Sequence, residues 1–210
     1  MAIKVEKWDF FELTLSDSSA ENPFLDVTLT ADFSQPGRQV QASGFYDGEG
    51  VYKVRFMPDQ EGRWSYITRS SAPGLDGQVG EFLCTAPSVG NHGPVRVSGL
   101  SFAYADGAPY VPVGTTCYVW NLQGDELEEQ TLETLNQAPF NKMRMCVFPK
   151  RFPFNRNEPP CYPFAGEYSP RPALDIHQIF QPGQPAAEWD FTRFNPAYFQ
   201  RLEKRILDLR

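Results

Sequence analysis

The stretch of residues 110–148 decides how the rest of the chain is interpreted. It begins with YVPVGTTC (residues 110–117) and ends with KMRMCVF (residues 142–148). Between these runs, residues 126–138 follow a helical pattern. Strands that alternate with a helix are typical of a right-handed βαβ unit, in which the two strands run parallel. Both runs are apolar almost throughout, which suits strands covered on both faces. The stretch therefore predicts an α/β core.

The helix of this unit has recognisable start and stop signals. Asp125 is predicted as the N-cap, Glu128 stands three residues later in the capping-box position, and Pro139 ends the helix. Apolar and small residues recur at three-to-four-residue spacing and predict one stripe that faces a sheet. The members of this stripe are Leu127, Thr131, Leu132, Leu135 and Ala138.

The first 97 residues contain only strand and turn signals. Short runs rich in Val, Thr, Phe, Tyr and Trp alternate with Gly and Pro turns, which is typical of an antiparallel β-sandwich of the immunoglobulin-like kind. The runs are 7–15, 26–33, 39–45, 51–56, 63–68 and 80–85. Apolar and charged residues alternate along residues 51–56, so every second side chain is predicted to face a core. The predicted core comprises Tyr52, Val54, Phe56, Trp64, Tyr66 and Phe82.

The turn-rich segment 89–94 is predicted to connect two domains, residues 1–95 and 96–210. Beyond it, the Asp106-Gly107 pair predicts a hairpin over residues 102–110. Residues 149–190 are predicted to form a long loop that follows a parallel strand, where α/β proteins place ligands. A second helix is predicted to start at Asn195 and Pro196. Its apolar stripe is Phe199, Leu202, Ile206 and Leu209.

Charge and composition exclude several classes of protein. The net charge of -7 comes without any basic stripe, so a nucleic-acid surface is not expected. No apolar run is long enough to span a bilayer, and the N-terminus lacks a signal-peptide core. The four cysteines form no CxxC pair, and His92 and His177 stand alone, so we expect neither metal nor cofactor. These features predict a reduced, cytoplasmic protein.

Several motifs resemble one glycosidase family. In the first half they are Tyr46-Asp47-Gly48, residues 52–56 and Gly62-Arg63-Trp64; in the second half they are residues 102–107, 112–118 and 139–150. Together they resemble the apiosidase-like (β/α)₈-barrel glycoside hydrolases that carry an N-terminal immunoglobulin-like sandwich. The resemblance implies a multidomain chain: an all-β immunoglobulin-like sandwich followed by the first βα units of a truncated TIM barrel.

The same resemblance implies hydrolysis of a glycosidic bond by two carboxylates. In that family these carboxylates end later strands, so no catalytic residue is expected in this chain, which is interpreted as the N-terminal part of a longer enzyme. A carbohydrate substrate is the expected partner. The residues predicted to bind it follow the two parallel strands: Thr116, Tyr118, Trp120, Arg144, Phe148 and Lys150.

Alternatives remain open for individual residues. By resemblance, Arg144 keeps a nucleophilic carboxylate ionised, whereas a purely structural ion pair with a core acid is the other interpretation. The aromatic side chains either stack on sugar rings or only cap a core. The Asn157-Glu158-Pro159 motif matches a glycosidase proton-donor motif but lies in a predicted loop. A Cys117–His177 dyad lacks any local signature.

A different class of function is also open at this point. The chain is then a non-catalytic module that binds carbohydrate or another protein through the aromatic loop after Lys150.

Overall fold

The computed structural model of the protein describes residues 3–149, 155, 157–168 and 187–210. The chain divides into two compact units, Met1–Val111 and Pro112–Arg210. The division falls C-terminal to the boundary predicted between residues 95 and 96. We refer to the two parts as unit 1 and unit 2.

Unit 1 is built on a seven-stranded sheet. The order of its strands is β1-β7-β6-β3-β4-β5-β2, and every contact except the parallel β1–β7 pair is antiparallel. The strands are β1 (Lys4–Glu6), β2 (Phe11–Ser16), β3 (Leu29–Gln35), β4 (Arg38–Gly48), β5 (Val51–Phe56), β6 (Gly62–Ser70) and β7 (Val79–Thr85). The strands β2 to β7 overlap the six short strands predicted from the sequence, whereas β1 was not predicted.

Strand β4 turns this sheet back on itself. Its first half pairs with β3, and from Gly44 onward it pairs with β5. At Gly44 an added Cβ would lie 2.6 Å from Cδ2 of Leu29, so the close approach of these elements requires glycine. The sheet is therefore nearly closed around one aromatic core.

The core of unit 1 matches the sequence prediction closely. Trp64 and Val54 are fully buried, and Phe82 is 1% exposed. Phe11 of β2 stacks on Phe82 of β7 with a centroid distance of 4.3 Å, and Phe33 stacks on Phe56 at the same distance. Contacts of this kind join strands from both ends of the sheet, and burial of such large rings supplies most of the hydrophobic stabilisation. This β-rich arrangement fits a β-sandwich.

A three-stranded antiparallel sheet completes unit 1. It contains β8 (Val95–Ser98), β9 (Ser101–Tyr104) and β10 (Pro109–Tyr110), in the order β10-β9-β8. The β9–β10 pair is the hairpin that the Asp106-Gly107 turn predicts. His92 is not isolated, because its Nδ1 lies 2.7 Å from Oδ2 of Asp106.

Unit 2 has two short sheets and two α-helices among its described residues. The strands β11 (Gly114–Thr116) and β12 (Lys142–Arg144) pair in parallel, whereas β13 (Phe164–Tyr168) and β14 (Ala187–Phe194) pair antiparallel. A 3₁₀ turn at Trp120–Leu122 precedes α1 (Asp125–Asn136), and α2 (Pro196–Asp208) follows β14. Neither helix is long and apolar enough to cross a membrane.

The fold class predicted from the sequence is wrong. The described residues are mostly β, are organised on a nearly closed seven-stranded sheet, and contain only two α-helices, so the helices of a TIM barrel are not found among them. The predicted strand 110–117 is interrupted: Tyr110 pairs with Phe102 of β9, and pairing with β12 begins only at Gly114. Pro112, between these two parts, has no N–H to donate to a ladder. The prediction that this strand is covered on both faces is also wrong, since Val111 is 70% and Val113 is 42% exposed.

The helices also differ from their predictions in detail. The N-cap of α1 is Gly124, and Asp125 is the first helical residue. At the start of α2, Oδ1 of Asn195 accepts a hydrogen bond from Ala197 N at 3.2 Å, and Pro196 occupies the first turn, as predicted. The buried face of α2, however, contains Tyr198 and Arg205, while the predicted stripe residue Ile206 is 50% exposed. Part of the predicted loop 149–190 is strand, namely β13 and the beginning of β14.

Candidate functional site

The C-terminal ends of β11 and β12 bring two of the predicted binding residues together. Parallel pairing continues beyond the strands, since Cys117 N donates to the Arg144 carbonyl at 3.0 Å and Cys146 N donates to the Tyr118 carbonyl at 2.8 Å. This register places Tyr118 beside Arg144. Thr116 is paired with Arg144 in the same register and is itself exposed.

Tyr118 and Arg144 form a cation–π pair. The guanidinium carbon of Arg144 lies 5.4 Å from the centroid of the Tyr118 ring, and Tyr118 is 37% exposed. Arg144 is also exposed and makes no ion pair with a carboxylate of the described residues. The ring fixes the guanidinium while leaving N–H groups available to an acceptor. The buried acid that the sequence interpretation demanded for Arg144 is unnecessary here, because the side chain is not buried.

Trp120 occupies a different environment from Tyr118. It is only 4% exposed, and its indole N–H donates to Sδ of Met145 at 3.2 Å. A buried indole packs the 3₁₀ turn against β12 instead of presenting a face to solvent. The predicted role of Trp120 in stacking on a sugar stays a prediction that its burial does not favour.

Phe148 belongs to an aromatic cluster on unit 2. It lies parallel to Phe164 at 6.2 Å and edge-on to Phe199 at 6.4 Å, and Phe194 stacks on Phe164 at 5.1 Å. Phe148 is 47% and Phe194 is 41% exposed, and Phe191 is 69% exposed. Exposed rings that lie side by side form an apolar patch, a feature also found at interaction sites. Lys150, the last predicted binding residue, lies outside the described residues.

The structure describes Glu158 and Cys117, one residue from each of the two alternative catalytic motifs. Glu158 is exposed and accepts a hydrogen bond from the Tyr162 hydroxyl, and Tyr162 packs on Trp189 with a centroid distance of 4.9 Å. Cys117 is half-buried, and its predicted partner His177 lies outside the described residues. Within the part of the chain that the structure describes, no three His, Cys, Asp or Glu side chains group so as to hold a metal ion.

A buried ion-pair network joins α1 to α2, and sequence reasoning did not predict it. Glu128 is fully buried; its Oε2 accepts from Arg201 Nη2 at 2.7 Å and from Arg205 Nε at 2.5 Å. Its Oε1 accepts from the backbone N of Gln123 at 3.1 Å. The only sequence signal at Glu128 was its capping-box position. That position predicts a hydrogen bond at the start of α1 and does not predict a contact with α2.

The electrostatics of the network follow from its geometry. The hydrogen bond and charge of Arg201 hold the pKa of Asp125 below its ordinary value. Burial opposes protonation of Arg205, yet its pKa is raised because the carboxylates of Glu129 and Glu128 accept its N–H groups. Both arginines are therefore permanently charged and tie the two helices together.

Two comparisons with known proteins relate the chain to other molecules. Residues 4–71 match a family model described as a domain of unknown function, DUF5060. A search of curated proteins finds no match. Among solved structures, the chain is similar to a protein from Bacteroides vulgatus ATCC 8482 described as a "putative glycoside hydrolase", with 44% identity and a TM-score of 0.88. The similarity covers 99% of this chain and 39% of that protein, so the chain spans about two fifths of the length of this relative.

Proposed function

We propose that the chain is part of a glycoside hydrolase and that the two catalytic carboxylates lie outside these 210 residues. The observation that carries the proposal is the similarity of nearly the whole chain to 39% of the Bacteroides vulgatus protein. The apiosidase-like motifs of the sequence add the reaction class, hydrolysis of O-glycosidic bonds in oligosaccharides or plant-type glycans. The substrate, on this proposal, is a carbohydrate, and neither a metal nor another cofactor takes part.

The packing of unit 2 supports this view. Its large buried apolar side chains among the described residues are few: Trp120, Leu122, Leu132 and Tyr198. Apolar side chains beside them remain exposed, including Val147 at 46% and Phe148 at 47%. A unit with a small core and exposed rings gains stability when further protein covers it. Unit 2 therefore has the properties of a portion of a larger domain.

Within this proposal, Tyr118 and Arg144 contact the sugar. Both side chains are exposed where the two parallel strands end, so a ligand in solution can reach them. The guanidinium donates to sugar hydroxyls, while the exposed ring offers a stacking face. Thr116, Phe148 and Lys150 remain candidates for the same surface.

The first experiment compares the 210-residue chain with a longer protein that contains it. Both are assayed on a panel of glycosides and plant polysaccharides. We expect hydrolysis by the longer protein and none by the chain alone. Hydrolysis by the chain alone contradicts the assignment of the carboxylates. Binding of glycans without hydrolysis by the longer protein favours the alternative, a non-catalytic carbohydrate-binding module.

The second experiment tests the binding pair in the longer protein. The Arg144→Met variant keeps an apolar stem on the Tyr118 ring but removes all N–H donors. Loss of hydrogen bonds from a charged donor predicts a decrease in kcat/KM of about 10-fold or more. The control is Arg63→Met in unit 1, where the side chain is 64% exposed and pairs with Glu81. Equal kcat/KM values for the two variants would show that the Arg144 side chain does not contribute to substrate binding.

We also infer a cytoplasmic location. All four cysteines are free in the structure, and three of them, Cys117, Cys146 and Cys161, are only half-buried. Accessible thiols persist in a reducing compartment and are commonly oxidised elsewhere. Fractionation of the source cells, with immunodetection of the protein, tests the inference; recovery in the periplasmic or extracellular fraction contradicts it.

A further inference from the structure

A small, partly open cavity lies within unit 2, next to the buried ion-pair network. Its walls come from the 3₁₀ turn, from residues 159–161 and from α2, and its volume is about 10 Å³. Asn121 and Arg201 contribute the polar groups, while Leu122, Pro160 and Leu202 supply apolar walls. The cavity is separate from the Tyr118–Arg144 pair, and the inference drawn from it goes beyond the proposed function.

Three polar atoms of Asn121 and Arg201, two residues that line this cavity, lack protein partners. Asn121 is 4% exposed, and both its Oδ1 and its Nδ2 are buried without a hydrogen-bond partner among the described residues. The same holds for Nε of Arg201, although its Nη2 is engaged by Asp125 and Glu128. Buried polar atoms are satisfied in the great majority of native proteins, and each unsatisfied one is costly. Three such atoms on two residues that line one cavity indicate a ligand that supplies the missing hydrogen bonds.

The size and charge of the cavity determine which ligand fits. The volume of about 10 Å³ is close to the roughly 10–15 Å³ that one water molecule needs, so a single water fits the cavity. An anion gains little, because the charge of Arg201 is already balanced by Asp125 and Glu128. A cation is repelled by the guanidinium. Water is neutral and provides two donors and two acceptors.

We infer that one ordered water molecule occupies this cavity and bridges Asn121 to Arg201. It accepts a hydrogen bond from the Arg201 Nε–H and exchanges another with the Asn121 amide. The bridge links the 3₁₀ turn to α2, next to the direct ion pair between Arg201 and Glu128 of α1. The 3₁₀ turn is therefore connected to α2 by the water and to Met145 by the indole N–H of Trp120.

The direct test is a crystal structure of the 210-residue chain at about 2 Å resolution or better, at which buried waters are routinely seen. We expect an isolated density peak within about 3.2 Å of both the Asn121 amide and Arg201 Nε. Absence of the peak, or a protein side chain in its place, overturns the inference. The wild-type crystal settles the question even if no variant folds.

A solution test counts long-lived waters by oxygen-17 magnetic relaxation dispersion. The Asn121→Leu variant removes both amide atoms and fills the cavity with apolar atoms, so it is expected to lose one long-lived water. The matched control is Asn136→Leu, which makes the same chemical change at an exposed position of α1 and is expected to lose none. Equal dispersion amplitudes for the wild type and the Asn121→Leu variant contradict the water bridge.

Discussion

Replacing Glu128 by Gln probes the strongest interaction found in unit 2. The buried carboxylate accepts from Arg201 at 2.7 Å, from Arg205 at 2.5 Å and from the Gln123 backbone at 3.1 Å. Gln has nearly the same shape but no charge, so two guanidinium groups lose their shared counter-ion. Removal of one partner of a buried ion pair costs about 3–5 kcal/mol, and we take about 3 because each arginine retains a second carboxylate.

Hydrogen exchange measured by mass spectrometry reports this loss for each helix separately. It is preferable to a single melting curve, because a chain of two units does not guarantee a two-state transition. A loss of about 3 kcal/mol in local stability accelerates exchange of the α1 and α2 amides on the order of 100-fold. Exchange in the strands of unit 1 is expected to stay unchanged.

The matched control is Glu129→Gln. Glu129 also binds Arg205, at 2.6 Å, but its side chain is 58% exposed. An exposed ion pair contributes about 1 kcal/mol or less, so exchange is expected to rise only a few-fold. If the Glu128 and Glu129 variants exchanged equally fast, burial of the carboxylate would contribute nothing and the reasoning would be refuted.

Three further predictions concern packing, backbone and pH. Trp64→Ala removes the fully buried indole from the core of unit 1. It is expected to lower the stability of unit 1, measured by hydrogen exchange of its strands, by about 3–5 kcal/mol, against about 1 kcal/mol or less for Phe45→Ala at a 39% exposed site. Gly44→Ala drives a Cβ into Leu29 at 2.6 Å and is expected to cost about 1–3 kcal/mol in the same assay; wild-type stability would contradict the close approach. The pKa of Asp125 is lowered from 3.8, chiefly by the hydrogen bond from α2, so its contribution is present above that value and is lost as pH falls through the folded-state pKa. Exchange of α2 amides at pH 5 and pH 3, corrected for intrinsic rates, checks this, and equal protection at both would contradict it.

Local patterns were enough to predict most of unit 1. Alternation along Val51–Phe56 depends only on neighbouring residues, and the strand has the predicted bounds and the predicted buried face. The Asp106-Gly107 hairpin and the Asn195 cap are local in the same sense. The aromatic core follows, because large rings on one face of consecutive strands have few other places to pack.

Long-range pairing explains where the predictions failed. The apolar stripe of α2 was predicted on Phe199, Leu202 and Ile206, yet the buried face is rotated so that it includes Arg205. Arginine is rarely buried, and it is accommodated here only because Glu128, 77 residues earlier in the chain, supplies a carboxylate. No local pattern contains that information.

The same limitation applies to the candidate site. Sequence order placed Tyr118, Trp120 and Arg144 at the ends of neighbouring strands, and the structure brings Tyr118 and Arg144 into contact. Sequence order did not reveal that the Trp120 side chain is buried and donates a hydrogen bond to Met145. Whether a residue after a strand faces solvent or core depends on the turn that follows, here a 3₁₀ turn that the sequence reasoning did not include.

The two units are stabilised by different forces, and this difference bears on the proposed function. Unit 1 packs aromatic rings around Trp64 and Phe33, so its stability depends mainly on hydrophobic burial and only weakly on salt. Unit 2 depends on Glu128 and its arginines, with a small core and exposed phenylalanines beside it. Unit 2 is therefore expected to be the less stable unit in isolation and to gain protection from hydrogen exchange in the longer protein. If its exchange were the same in both, the exposed rings would have no protein to cover them, and the case for a larger glycosidase domain would lose its structural support.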